Sequence, residues 1–267
     1  MKWLVFFIVI VSLILVLVVK PPKVSEMPVD KCLLVFHGEV FRFGGEKTRN
    51  INNKAAIPEQ IEASKTHRKL IDSLNCDVCI VTRSTDFDNS LKEMYGSKPS
   101  YFIYDTNDRC AAKFTTENID MFKKYTHVAF LRIDAFLKDR FFEVFRLGEK
   151  IGLEFLLWIS FQNRDEIPNV SDTIIVFPNK YMYIINKTIF TGENPSGGYW
   201  GHGLMRDIIA EWPEISEDDF EFMIDTLHDS DSQKDWNPLH RIVNRPESSD
   251  WQSTEYLRGE KHSIINK

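Results

Sequence analysis

An arginine and an aspartate two residues apart close an apolar run that reads His127-Val128-Ala129-Phe130-Leu131-Arg132-Ile133-Asp134-Ala135-Phe136. At the end of a buried strand, residues i and i+2 point to the same face. Burying two charges there is costly unless they pair with each other or hold a ligand. A carboxylate so placed can coordinate a divalent cation, which in turn holds a diphosphate. A structural Arg132–Asp134 ion pair is the alternative. A second group follows the first apolar run, in His37-Gly38-Glu39-Val40-Phe41-Arg42-Phe43-Gly44-Gly45. Glycines there let a backbone approach a ligand, and Arg42, Lys47 and Arg49 can meet phosphates. A tight turn with solvated charges is the plainer reading. Thr82 ends another apolar run, and Asp172, just before the run 173–177, is an acid/base candidate. Trp200 and His202 lie in the loop Gly197-Gly198-Tyr199-Trp200-Gly201-His202-Gly203. Its aromatic faces can pack on pyranose rings; simple loop flexibility is the alternative.

Other polar groups read as structural. Asp86-Phe87-Asp88 resembles an acidic helix start, and a second D-x-D triplet, Asp229-Ser230-Asp231, has only its spelling in its favour. His67 shares a helical face with Ala63, Leu70, Ile71 and Leu74, which suits a packed core histidine. Cys76 and Cys79 fall within one strand and point to opposite faces, so they read as two buried thiols rather than a metal site. The chain has no G-x-G-x-x-G, Walker A, G-x-S-x-G or H-E-x-x-H motif. This argues against a dinucleotide fold, a P-loop ATPase, an α/β hydrolase and a zinc protease.

The elements that must position these groups alternate in type. Short apolar runs predict strands over 32–36, 76–82, 101–104, 128–133, 155–161 and 173–177. Between and after them, helices are expected from Pro58 to residue 74, and over 90–95, 117–124, 139–147 and 203–212. Such alternation predicts an α/β fold with a mostly parallel central sheet flanked by helices. Ligands of open α/β sheets bind beyond the carboxyl ends of the strands, where Gly38, Thr82 and Asp134 would stand.

With 267 residues, 43% hydrophobic, and a formal net charge of −6, the chain is too apolar for disorder. Its 33 Lys+Arg against 39 Asp+Glu argue against a nucleic-acid partner. Residues 3–19 are apolar apart from Ser12, and no Ala-x-Ala-like cleavage site precedes Lys20-Pro21-Pro22. That run reads as an uncleaved transmembrane signal anchor (1–19), followed by a Pro-rich stalk (20–31), a catalytic-sized domain (32–245) and a polar tail (246–267). Lys2 on one side and Lys20 and Lys23 on the other leave orientation undetermined by the positive-inside rule. Sequons at Asn169 and Asn186 would permit glycosylation of a lumenal domain in the secretory pathway or a host internal membrane.

Several of these segments together resemble glycosyltransferase-like proteins of large DNA viruses, particularly those infecting algae. They are His37-Gly38-Glu39-x-Phe41-Arg42-x-Gly44-Gly45, the strand ending in Thr82, Leu131-Arg132-Ile133-Asp134, Asp172-Thr173-Ile174-Ile175-Val176-Phe177-Pro178, and Asp235-Trp236-Asn237-Pro238-Leu239-His240-Arg241-Ile242-Val243. The resemblance implies a GT-A-like fold, a nucleotide-sugar donor and a glycan or glycoprotein acceptor, with hexosyl or pentosyl transfer. Read on that fold, His37, Gly38, Arg42, Gly44, Gly45, Thr82 and Arg132 are the expected donor-binding residues, Trp200 and His202 the expected acceptor-binding residues, and Asp172 and Arg132 the expected catalytic ones. Arg132-x-Asp134 stands where the family has its D-x-D metal motif, so Asp134 would hold a divalent cation (Mn2+ or Mg2+). The arginine in place of one carboxylate could itself neutralise a leaving diphosphate. A tethered glycan- or nucleotide-binding protein of the same fold is the alternative, and a metal-dependent phosphoesterase lacks the clustered His and Asp it would need.

The anchor gives the first test. Deleting residues 1–24 should release a soluble, folded domain from membranes, and flotation at high salt reads this out; persistent membrane association would overturn the anchor. Protease protection in sealed microsomes, with glycosylation at Asn169 or Asn186, tests the lumenal orientation.

Overall fold

Three apolar runs buried on both faces form the heart of a parallel sheet: β1 (Val29–Gly38), β2 (Cys76–Arg83) and β4 (Tyr125–Arg132), with β3 (Ser100–Tyr104) as a half-exposed edge. The computed structural model describes residues 29–44, 50, 52–105, 110–154, 156–158, 169–186, 203–224, 226–228 and 237–243. Adding β6 (Ile151–Leu153), β9 (Ile174–Pro178) and β10 (Phe220–Phe222) completes seven strands in the order β10-β6-β9-β4-β1-β2-β3. All pairings are parallel except the two made by β9, which is antiparallel to both β4 and β6. The expected α/β architecture with a mostly parallel sheet is therefore present. Gly152 permits the β6–β9 approach, since a Cβ there would lie 3.0 Å from Val176 Cβ.

Alternation along the strands builds two cores. Leu33, Val35, Val81, Val128 and Phe130 face α3 (Cys110–Phe122) and α5 (Leu204–Glu211) through Phe114, Phe122, Leu204 and Ile208. Leu34, Phe36, Val78, Ile80 and Leu131 face α1 (Ile57–Ser73), α2 (Asp88–Tyr95) and α4 (Asp139–Val144) through Leu70, Ile71, Leu91 and Phe141. Pro58 in the first turn suits α1, because its missing N–H would have no helical partner there. His67 is a core histidine: its Nε2 donates to the Ala135 carbonyl and its Nδ1 accepts from the Tyr95 hydroxyl, both at 2.6 Å.

Several elements differ from expectation. The helix predicted over 117–124 begins at Cys110 and is kinked at Asn118 (φ −123°, ψ 19°). Thr115 and Thr116 bond back to the Ala111 and Ala112 carbonyls, the local competition that weakens a helical signal. Within the predicted strand 155–161, β7 (Leu156–Trp158) joins β8 (Asn169–Val170) and β11 (Thr226–His228) in a small separate sheet. β5 (Ala135–Leu137) pairs antiparallel with the distant β12 (His240–Ile242), a contact invisible to local periodicity. β1 begins at Val29, so the last residues of the expected stalk belong to the sheet. Among the described residues no helix is long and apolar enough to cross a membrane. The expected anchor at 1–19 and tail at 246–267 lie outside the described residues.

The cysteines require a correction. Cys76 is not a thiol but is disulfide-bonded to Cys32, its in-register partner on β1, with the Cα atoms 4.5 Å apart. Cys79 is a buried free thiol on the opposite face, as alternation requires. The bond closes a loop with a sequence separation of 44 residues. Replacing both Cys32 and Cys76 by serine should therefore lower unfolding stability by about 2–4 kcal/mol. Urea denaturation, with a lower midpoint in the variant than in the oxidised protein, checks this.

Candidate functional site

The chain lays down β1, β2 and β3 to one side, then returns through α3 to place β4 on the other side of β1. The carboxyl ends of β1 and β4 thus flank a topological switch point, where open α/β sheets bind ligands. His37 and Arg132 are the in-register residues at this point. The Ile133 N–H donates to the His37 carbonyl at 2.8 Å, so the chain turns across the end of β1 before presenting Asp134.

Arg132 is held between two carboxylates. Its Nε donates to Asp134 Oδ1 at 2.9 Å and its Nη2 to Asp134 Oδ2 at 2.7 Å, a bidentate pair. Its Nη1 donates to Asp172 Oδ2 at 3.1 Å. Side-chain exposure rises outward: 4% for Asp134, 16% for Arg132 and 24% for Asp172. Burial opposes the guanidinium's charge, but Asp134 and then Asp172 outweigh it and hold the pKa of Arg132 above its ordinary value. Beside them the His37 ring, packed edge-on to Phe130, is held down to about 4, first by burial and then by the Arg132 charge. His37 is therefore neutral at pH 7, and the ion triad carries a net charge of about −1.

Asp172 reaches this edge because β9 runs antiparallel. Its approach is fixed from behind by a buried polar network. Ser171 Oγ donates to Glu154 Oε2 at 2.5 Å, and Thr173 Oγ1 lies 3.3 Å from His240 Nε2. His240 Nδ1 is paired with Glu154 Oε1, and Asn237 Oδ1 accepts from the Leu239 N–H at 2.8 Å. The Arg132 N–H donates to the Thr173 carbonyl at 2.9 Å, and the Val243 N–H to the Asp134 carbonyl at 2.8 Å. Sequence reasoning gave Glu154 and His240 no role. Glu154 stands out only as a glutamate within the apolar run 151–158, and His240 has no local signal until the two segments meet.

The remaining expected residues are placed as follows. Thr82 is buried and donates to the Gly38 carbonyl at 2.8 Å, joining the ends of β2 and β1. Gly38 (φ 119°) and Gly44 (φ 90°) take conformations that favour glycine. Arg42 is buried, with Nη1 3.9 Å from Glu39 Oε2. Phe41 adopts φ 52°, a strained value for a bulky residue, with its ring edge-on to Phe87 at 5.4 Å. Asp88 accepts from the Thr85 N–H at 2.9 Å, an acidic helix start, and the Asn52 Nδ2 donates to Asp86 at 2.6 Å. Gly45, Lys47, Arg49, Trp200, His202 and Asp229-Ser230-Asp231 lie outside the described residues.

These residues, as placed, do not fit the divalent cation that the resemblance implies at Asp134. Both Asp134 oxygens accept from one guanidinium, so a cation there would lie against a fixed positive charge. Among the described residues, no three His, Cys, Asp or Glu side chains group as a metal site requires.

No protein-family model and no curated protein sequence matches the chain. Solved structures are similar at low identity. One is a 4-diphosphocytidyl-2C-methyl-D-erythritol synthase of Anaerococcus prevotii (12% identity, 88% of this chain, 98% of that one, TM-score 0.46). Another is described as a nucleotide-diphospho-sugar transferase of Desulfovibrio desulfuricans (13%, 87%, 95%, TM-score 0.47). A third is a glycosyltransferase involved in glycosylating the major capsid of PBCV-1 (7%, 78%, 86%, TM-score 0.39). With TM-scores below 0.5, these likenesses assign neither family nor activity to this chain.

The buried histidines predict an acid response. His37 and His67 both have native values near 4, against 6.5 in an unfolded chain, and burial is the first cause in each. Between pH 6.5 and 4 the unfolded state binds more protons, so stability falls as pH falls through that window, by up to about 3 kcal/mol per histidine. Urea unfolding at pH 7 and pH 4.5 should show this loss, and His67→Gln should flatten the dependence. An equal slope in the variant would overturn the assignment.

Proposed function

We propose that this protein is a membrane-anchored glycosyltransferase, moving a sugar from a nucleotide donor to the hydroxyl of a glycan or glycoprotein. The observation that carries the reading is the Asp134–Arg132–Asp172 cluster at the switch point between β1 and β4, the edge where an α/β sheet receives a nucleotide. Two of the segments on which the viral glycosyltransferase resemblance rests supply this cluster, the end of β4 and the approach to β9. Residues 3–19 would hold the domain at a secretory or host internal membrane, with the domain lumenal.

In this reading the nucleotide lies over the β1 turn, near His37, Gly38, Arg42, Gly44 and Gly45, while Thr82 keeps the ends of β1 and β2 together. The diphosphate faces Arg132. In an inverting displacement, an Asp172 oxygen takes the proton of the acceptor hydroxyl as its oxygen attacks the anomeric carbon. The bond from that carbon to the diphosphate oxygen breaks, and the nucleoside diphosphate leaves with the electron pair. Trp200 and His202 would contact the acceptor. A second reading, a tethered binding protein without turnover, draws on one observation: both Asp134 oxygens are already engaged by Arg132.

A panel of nucleotide sugars and nucleoside diphosphates, with and without Mn2+, separates the two. A bound ligand at a hundredfold excess over its Kd should stabilise the protein by about 2.7 kcal/mol, visible as a raised Tm. Transfer or slow hydrolysis of one sugar nucleotide should accompany it and fall by roughly 10²–10⁴-fold in Asp172→Asn. Stabilisation without turnover would favour a nucleotide-binding protein; no stabilisation by any of them would overturn the transferase and favour a tethered glycan-binding protein.

A further inference from the structure

We propose that Gln60 and His67, about two helical turns apart on α1, are positioning residues that clamp the backbone on both sides of Asp134 and so aim its carboxylate at Arg132. The assignment rests on the nucleotide-sugar reading only for its effect on turnover; the clamp itself stands on the geometry.

Asp134 sits in the short turn between β4 and β5, past the point where the β1–β4 ladder ends at Arg132. Three consecutive carbonyls of this turn are held from three distant parts of the chain. Gln60 donates from Nε2 to the Ile133 carbonyl at 2.8 Å, the Val243 N–H to the Asp134 carbonyl at 2.8 Å, and His67 Nε2 to the Ala135 carbonyl at 2.6 Å. The first two carbonyls belong to the planar peptide units on either side of the Asp134 Cα, so fixing them fixes the direction of its side chain. The third pins the residue that follows. The Asp134 carboxylate then meets Arg132 through two bonds at 2.9 and 2.7 Å, a bidentate geometry that tolerates little rotation.

The residue types on α1 suit this contact. A helix face packed on a sheet is ordinarily apolar, and an amide or imidazole buried there is costly unless hydrogen-bonded. Gln60 and His67 are both buried and both direct a donor at the turn, while Ala63 and Ser64, buried between them, are small enough to let it approach. Thr66 continues the line, its Oγ1 accepting from the Leu137 N–H at 3.1 Å. Tyr95 of α2 sets the donors in place. Its hydroxyl donates to His67 Nδ1 at 2.6 Å, which leaves the imidazole proton on Nε2, and its oxygen is hydrogen-bonded by the Gln60 amide as well. The His67 ring is also stacked on Phe36, with centroids 4.6 Å apart, which holds its plane. Loss of either donor therefore loosens the Asp134 turn, while the backbone ladders of β1, β2 and β4 remain.

Nuclear magnetic resonance of the full chain in detergent tests this through the Arg132 Nε–H signal and its exchange with water at neutral pH without denaturant. Gln60→Met and His67→Leu remove the donors at similar volume and should raise that exchange rate on the order of tenfold, the equivalent of one lost hydrogen bond. His67→Gln, whose amide restores a donor to the Ala135 carbonyl, should keep the rate within about twofold of the unaltered chain. An unchanged rate in Gln60→Met and His67→Leu, even with a lowered Tm, would make both residues structural only and overturn the proposal. A His67→Gln rate equal to that of His67→Leu would overturn it too. Should Gln60→Met fail to fold, Gln60→Asn, too short to reach the Ile133 carbonyl, takes its place. Faster Arg132 exchange in the variants, with no sugar nucleotide turned over by the unaltered chain, would overturn the transfer reading and leave this one standing. Transfer by the unaltered chain, with Arg132 exchange unchanged in both variants, would do the reverse.

Discussion

A guanidinium largely withdrawn from water must have its charge matched nearby, and Arg132 meets that constraint with two carboxylates from different parts of the chain. Asp134 comes from the turn that leaves β4; Asp172 comes from the approach to β9. Removing Arg132 would leave two carboxylates facing each other at the centre of the sheet's carboxyl edge. The end of β4, the turn over β1 and the start of β9 are consequently one electrostatic unit. The backbone repeats the arrangement, since the Arg132 N–H bonds to the Thr173 carbonyl and the Ile133 N–H to the His37 carbonyl.

Behind this unit lies a second layer that contributes rigidity rather than chemistry. Glu154 and His240 are both buried, and each can be tolerated there because the other, with Ser171, Thr173 and Asn237, satisfies its polar atoms. Through β12 and the Val243–Asp134 bond, the segment 237–243 crosses over the turn that carries Asp134. Both acidic groups of the site are therefore held by a piece of chain remote in sequence from either.

Much of the frame was legible in residue order. The runs at 32–36, 76–82 and 128–133 became β1, β2 and β4 within a few residues, because a strand buried on both faces is largely apolar, and the run at 101–104 became the edge strand β3. Alternation placed Cys76 and Cys79 on opposite faces, and helical spacing placed His67 in the core. The first half of α3, the three-residue β6 and the β5–β12 ribbon were not legible. In α3 the back-bonding threonines weaken the local signal, whereas β6, β5 and β12 pair with strands far along the chain that a window of neighbouring residues does not contain. The Cys32–Cys76 bond belongs to the same class, since it depends on the register between two strands.

Asp172 shows where the division falls. Sequence alone marked it as a carboxylate ahead of an apolar strand and marked Arg132 and Asp134 as sharing a face. In a parallel strand, the residue before the strand lies at the amino edge of the sheet, away from the end of β4. Because β9 instead runs antiparallel to β4, with Leu131 opposite Ile174, its beginning meets the end of β4 and Asp172 meets Arg132. Local pattern determines which residues form strands and which face each side chain takes, because those depend on neighbours two residues away. Strand direction, register and the charges that then become neighbours depend on contacts across the sheet, and only the folded chain decides them.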